Sequence, residues 1–583
     1  MDIRRTILWM IFSFSLLLLW NNWQVYRGQP SLFSLTPPAT QTAKPEAAKP
    51  ATAPHAAAGE GIPSSAAPNA PASQAKVPTP EAVPQGEQVH VKTGVYDLTF
   101  DTMGAQLVRA DLLAYKNQEA TTGILPWFKG LMGHKPPKDA GGPMYLLNNQ
   151  PGDMYVAQTG LVGAPQGSSY PTHLTPFTLV GSGPVVKGDT TEISFEATSD
   201  QVRVVKTFIL SKDGYDIHVR NDIYNLGSQP IDPSLYLQLT RDSHEPPNTT
   251  GYYTTFTGPA VYSQEDKFQK IKFEDITKGK ASYVQQADNG WIGMVQHYFA
   301  SAWVPKQGVV RTNQALALPG DLFAIRTIES VGTIAPGEHK TVDAQLWVGP
   351  QDQQAMSAVA PGLELVVDYG WVTIIAKPMF KFMIWLHGLV GNWGWTIVLL
   401  TLLIKLVFYP LSAASYRSMA KMKLVAPRMK HLKEKFGDDK AKMNAAMMEM
   451  YRTEKINPLG GCLPMVVQVP VFIALYWVLL GSVEMRGAPW AFWIHDLSVS
   501  DPWFILPAFM MLTMFLQIKL NPTPPDPTQA KIMMIMPLVF GGMMFLFPAG
   551  LVLYWCVNNT ISIIQQRVIM KRLDHEKAAS ASS

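Results

Sequence analysis

From Ile532 to Ile569 the chain carries no Asp, Glu or Lys, and most of its side chains are apolar. A helix rises 1.5 Å per residue and crosses a hydrocarbon core of about 30 Å in about 20 residues, so this run is too long for one crossing. FPAG at 547–550 interrupts it, which predicts two helices joined by a tight turn. Similar apolar runs lie at about 391–411, 460–482 and 502–518. Lipid offers no hydrogen bonds to a backbone, so runs of this composition are expected to be helical. The last third of the chain therefore reads as a polytopic α-helical membrane domain.

The N-terminus, MDIRRTILWMIFSFSLLLLWNNW, places Arg4 and Arg5 ahead of an apolar stretch with no small-x-small site directly after it. This predicts an uncleaved transmembrane anchor over 1–27 with its N-terminus in the cytoplasm. Residues 28–86 are rich in Pro, Ala, Thr and Ser and read as a semi-extended tether. Over 87–350 the pattern becomes alternation, as in VHVKTGVYDLTFD, VRVVKTFILS, YDIHVRNDIYN, SLYLQLTRD and TVDAQLWVG, with turn signals such as SKDG and APGE between. A large all-β domain follows, outside the cytoplasm if the anchor is oriented as read. His90, His173, His218 and Asp242 are scattered through it, with no spacing that singles out a catalytic set. Residues 351–390 form a connector, and 366–389 mix Lys377, Lys381 and His387 with bulky apolars, suiting a helix lying in the membrane interface.

Charge sets the topology. Between Ser412 and Lys455 stand eleven Lys/Arg against five Asp/Glu, which marks that loop as cytoplasmic. The loop 483–501 has a single basic residue, Arg486, and the aromatics Trp490, Phe492 and Trp493, and faces outside. Lys519 and Lys531 bracket the inner loop NPTPPDP, and Lys571 and Arg572 open a basic cytoplasmic tail, 571–583. Both ends inside require an even number of crossings. The anchor and a five-helix core over 391–570 make six.

The net charge is only +4, which does not suggest nucleic-acid binding. Cys462 and Cys556 both fall in apolar stretches, with no spacing for zinc or a disulfide framework. No GxxxxGK[ST] loop, dinucleotide fingerprint or HExxH motif occurs, so nothing points to a nucleotide, a metal or another cofactor. Within the cytoplasmic loop at 412–456, Met419, Met422, Val425, Met429, Leu432 and Phe436 recur at helical spacing. Met443, Met447, Met450 and Tyr451 stripe a second helix, which together predict an antiparallel hairpin with a basic outer face. Pro427 predicts a kink or an offset start in the first of these helices. Residues 361–583 hold 20 of the 28 methionines. Methionine suits surfaces that accept varied apolar partners, though it is also ordinary membrane filler.

TIVLLTLLIKLVFYPL at 396–411 contains Lys405, which lies 10–12 residues inward of Trp393 and Trp395. That is roughly 15–18 Å of helix, near the middle of the bilayer. A lysine at such depth costs about 2.5–3.5 kcal/mol on insertion scales. The apolar runs themselves contain no Asp or Glu to pair with it. Either the lysine snorkels or it lines a hydrated cavity, and Thr401, Gln468, Thr513, Gln517, Asn558 and Asn559 are the polar residues available to extend one. A small-solute transporter with an ion or proton site at Lys405, or an envelope enzyme or glycan-binding protein acting through its β domain, would be alternative readings.

YPLSAASYRSMAKM, NPLGGCLPMVVQVPVFIALYWVLLGSVEMRGAPWAFWIHDLSVSDP and FPAGLVLYWCVNNTISIIQQ resemble the YidC-type membrane protein insertases, and the anchor, tether and β domain resemble their Gram-negative form. The resemblance implies a five-helix core around a hydrophilic groove that is open to cytoplasm and lipid and closed towards the periplasm. A basic residue of the first core helix would occupy that groove, at the position of Lys405, where the family form has arginine. A lysine keeps the charge and loses the planar fork of donors. Thr401, Gln468 and Trp555 match groove or substrate-contact positions, tyrosine being frequent where Trp555 stands. The implied function is a non-enzymatic insertase and chaperone of the bacterial inner membrane. It would act on nascent inner-membrane proteins within the lipid bilayer, without ATP hydrolysis, alone or beside the Sec translocon. The hairpin would be required, the tail would approach the ribosome, and the β domain would resemble a supersandwich.

Overall fold

Alternating side chains make the β region what it is. The strand Asp216–Asn225 buries every second residue, because consecutive side chains point to opposite faces. It pairs in antiparallel register with Val202–Ser211 on one side, Ile217 opposite Leu210, and with His339–Pro350 on the other. The computed structural model describes residues 86–117, 141–246, 255–436, 440–454, 463–521 and 527–582. The N-terminal anchor and nearly all of the tether lie outside them. The chain divides into two units, one mainly Pro136–Val367 and the other mainly Asp368–Ser583.

In the first unit a nine-stranded and a ten-stranded antiparallel sheet supply the layers, as the alternation predicts. Phe100 of one sheet packs on Phe195 and Phe208 of the other, with ring centroids 5.8 and 4.7 Å away. Trp291, Trp303 and Trp347 are also fully buried. Each such side chain removed from water contributes about 1.5–3 kcal/mol. Lys206 also lies in this core, donating to Gly104 O at 2.7 Å and Thr159 O at 2.8 Å, so one ammonium ties the two sheets together. Burial pushes that lysine down to about 7. His173, held against Tyr236 Oη at 2.6 Å, is pushed down to about 3 by burial and stays neutral. His90 meets Thr99, His218 lies near Asp343, and Asp242 accepts from Met154 N–H, so the scattered polar residues have separate partners.

The second unit is helical: α1 (Thr373–Val390), α2 (Trp393–Val407), α3 (Tyr409–Phe436), α4 (Lys440–Thr453), α5 (Leu463–Gly481), α6 (Ile505–Leu520), α7 (Pro527–Met544) and α8 (Ala549–Ser582). The break at FPAG falls between α7 and α8, as the run from Ile532 predicts. Pro427 lies inside α3, which continues through it. The basic tail continues α8, which extends to Ser582. Gly370–Val390, expected in the interface, is long and apolar enough to cross a membrane. Among the described residues it is the single helix that passes that test alone. Trp393–Val407 with Tyr409–Met422 passes as a pair bent by 65°, and three further apolar helices are shorter. Length and composition therefore do not by themselves yield six crossings.

Candidate functional site: a lysine-bearing groove

The first wall of the site is α2. Its N-cap Asn392 accepts the Trp395 N–H at 3.1 Å and its amide donates to Pro489 O at 3.0 Å, fixing the helix against the 483–501 loop. Lys405 falls in the last turn, where unpaired carbonyls favour a cation. The chain then bends by 65°, with Pro410 at the start of α3, so that α3 crosses below the lysine instead of continuing α2. Ser412, Ser415, Tyr416 and Met419 of α3 line the space this bend opens.

The remaining walls come from α5, α6, α7 and α8 around a groove of about 470 Å³. Lys405 is 6% exposed, and its Nζ donates to Ser562 Oγ at 2.8 Å and to Gln468 Oε1 at 3.5 Å. Gln468 Nε2 donates in turn to Asn558 Oδ1 at 2.8 Å, and Ser562 Oγ to Asn558 O at 2.7 Å. The lysine thus has partners, contrary to the expectation of an unpaired charge, and all of them are neutral. Neutral acceptors satisfy donors without cancelling charge. Among the described residues lining the groove none is Asp or Glu, so their formal charge is positive. The walls are otherwise apolar, with Phe472, Met514, Met533 and Met536 among them.

Of the predicted groove residues, Lys405, Gln468, Gln517, Trp555, Asn558 and Asn559 all line this space. Asn559 also reaches α6, donating to Thr513 Oγ1 at 3.3 Å. Trp555 packs on Phe472 and Phe540, with centroids 4.7 and 5.3 Å away, and its buried Nε1 finds no hydrogen-bond acceptor among the described residues. Thr401 is the correction. It is buried, its hydroxyl donates to Ile397 O at 2.7 Å within α2, and it does not line the groove. A threonine in an apolar helix satisfies itself this way on its own preceding turn. Ser562 and Tyr416 were missed. The signal for Ser562 was present, since Asn558, Ser562 and Gln566 recur at i+4 in a run without acidic residues.

In the hairpin, Val425 and Met429 are buried, and Tyr451 Oη lies 3.2 Å from Met429 Sδ across the α3–α4 seam. Met422, Met447 and Met450 are half-buried, while Met419 serves the groove. Arg428 and Glu454 form an exposed ion pair between the two helices. Arg417, Lys421, Lys435 and Lys442 keep the outer surface basic.

Comparison with known proteins agrees along the whole chain. Residues 385–577 match the 60Kd inner membrane protein family, and 130–382 match the YidC periplasmic domain family. The membrane protein insertase YidC of Bordetella pertussis is 62% identical over 583 residues, covering all of both chains. That of Cupriavidus necator is 49% identical over 99% of each. A crystal structure described as an active YidC insertase with its first transmembrane domain resolved aligns with 83% of this chain and 92% of its own, at 19% identity and a TM-score of 0.37. Aldose-epimerase-like structures align with less than half of the chain, among them a galactose mutarotase related enzyme from Lactobacillus acidophilus at 6% identity and a TM-score of 0.28. With full-length identity of this order to named insertases, the chain belongs to the YidC family of membrane protein insertases.

Proposed function

We propose that this protein inserts newly made inner-membrane proteins by letting their polar flanks enter the Lys405 groove while their apolar segments slide into lipid. The observation that carries the reading is a buried ammonium, held by neutral partners, in a groove walled by methionine and aromatic side chains. A polar or acidic flank loses water on entering a bilayer, at a cost of several kcal/mol per unpaired group. Lys405, Gln468, Asn558 and the unsatisfied Trp555 N–H offer replacement partners part-way across. Hydrophobic partitioning and the membrane potential supply the driving force, and no bond is made or broken.

In this reading the chain crosses the inner membrane six times, with both termini cytoplasmic and the β unit in the periplasm. The charge contrast between 412–455 and 483–501 supports it. The basic hairpin and the basic end of α8 would meet the ribosome, and the apolar outer faces of the core leave room for a Sec translocon beside it. Crosslinking of a ribosome-stalled membrane protein to probes at 405, 468 and 555 tests this, with Thr401 as the buried contrast. Adducts at the first three sites and none at 401 are expected. Silence at all three would overturn the reading.

A further inference from the structure

Three chain segments meet at the end of the core remote from Lys405: the 483–501 loop, the start of α6 and the α7–α8 turn. Ala549 N–H donates to Val499 O at 2.7 Å and Gly550 N–H to Leu497 O at 2.9 Å, while Ser500 and Pro548 pair as an antiparallel bridge. A Cβ at Gly550 would stand 3.2 Å from Leu497 O, so the turn and the loop are in close contact. About 18 Å of helix separates Gly550 from Ser562, the partner of Lys405.

Asp501 sits where these segments join and is 0% exposed. Its Oδ1 accepts Trp493 Nε1–H at 3.0 Å and Trp503 N–H at 3.0 Å, and its Oδ2 accepts Leu506 N–H at 2.7 Å. Trp493 belongs to the loop and Leu506 to the first turn of α6, so one carboxylate grips both. Between them Phe504 adopts a φ of +59°, a left-handed conformation that a bulky residue holds only when its neighbours impose it. All three donors are neutral. Packing alone would hold two apolar segments together without burying a charge, whereas a carboxylate adds direction and register.

We propose that Asp501 is a positioning residue for insertion: it locks the 483–501 loop over the outer end of the groove, so that the groove opens on one side only. This rests on the orientation proposed above, in which that loop faces outside. An unlocked loop would let water reach the groove from both sides and short-circuit the membrane potential that drives insertion.

The test places a cysteine at Met514, a groove-lining residue outside the polar network, in the full chain with Cys462 and Cys556 replaced by serine. A membrane-impermeant maleimide is then applied to either side of sealed membranes. With Asp501 intact, labelling from the inner side only is expected. Asp501→Ala is expected to raise labelling from the outer side roughly tenfold, equivalent to about 1.4 kcal/mol of closure. Asp501→Glu should restore part of the seal. Trp493→Phe keeps the ring and removes one donor, so it should raise outer labelling by less than Asp501→Ala while leaving protein levels unchanged. Outer labelling unchanged in both Asp501→Ala and Trp493→Phe would overturn the proposal. Labelling of the intact protein from the outer side only would instead overturn the orientation on which it rests.

Discussion

Lys405 illustrates how a buried charge is made tolerable without being neutralised. Ser562 and Gln468 accept its protons, and their remaining hydrogen bonds run to Asn558, so the network stays polar and positive. Lys405→Arg keeps the charge and meets the same acceptors, so insertion is expected to stay within about twofold of the native level. Lys405→Leu should lower insertion of acid-flanked substrates about tenfold, or about 1.4 kcal/mol, in a protease-protection assay. In the β unit Glu329 is the counterpart. Burial pushes it up to about 7, although Arg311 on the adjacent strand pulls the other way. A carboxyl whose folded value lies above its unfolded one contributes stability that is complete below about 4.5 and is lost as pH rises through 7. Hydrogen-exchange protection in the strands Arg311–Leu318 and Leu322–Ser330, taken relative to the intrinsic amide exchange rate at each pH, should therefore fall between these pH values. In Glu329→Gln that pH slope should vanish. Lys405 was legible because a lysine among lipid-facing residues demands an explanation. Glu329 was not, because burial of a strand residue depends on what covers it.

At the scale of elements, the bend after α2 does most to create the site. A straight helix through Phe408 would carry Ser415 and Tyr416 away from the groove, whereas the 65° turn lays α3 beneath it. The hairpin shows the opposite economy, since its methionine periodicity already named the seam. Met429→Ala removes the buried partner of Tyr451 and should destabilise the hairpin by about 2 kcal/mol. Faster limited proteolysis within α3 and α4, with the β unit unaffected, is the expected readout. The polar stripe of α8 joins these elements. Gln565 Nε2 donates to Lys405 O, while Gln566 Nε2 donates to Asn521 Oδ1 at the end of α6. That a single helix touches so many others could not be read from its own periodicity, since its polar residues pair with partners up to 160 positions away in sequence.

For the molecule as a whole, the two units carry separate cores, one built on sheet alternation and one on apolar helices. Because the groove lies entirely in the helical unit, removing residues 90–340 while keeping the anchor should leave most insertion activity in reconstituted vesicles. Loss of all activity would assign the β unit an essential part. Sequence alone determined which segments are strands, which are helices, where charge enters the apolar core and where the hairpin seam runs. Those properties follow from the period of apolar residues and from the energy of charge in lipid, both of which act locally. Tertiary structure alone decided that Thr401 turns into its own helix, that Ser562 holds the lysine, and that Asp501 binds a loop to a helix end. Each of these depends on which polar atom lies within about 3 Å once distant segments pack, and a hydrogen bond has no reach beyond that distance.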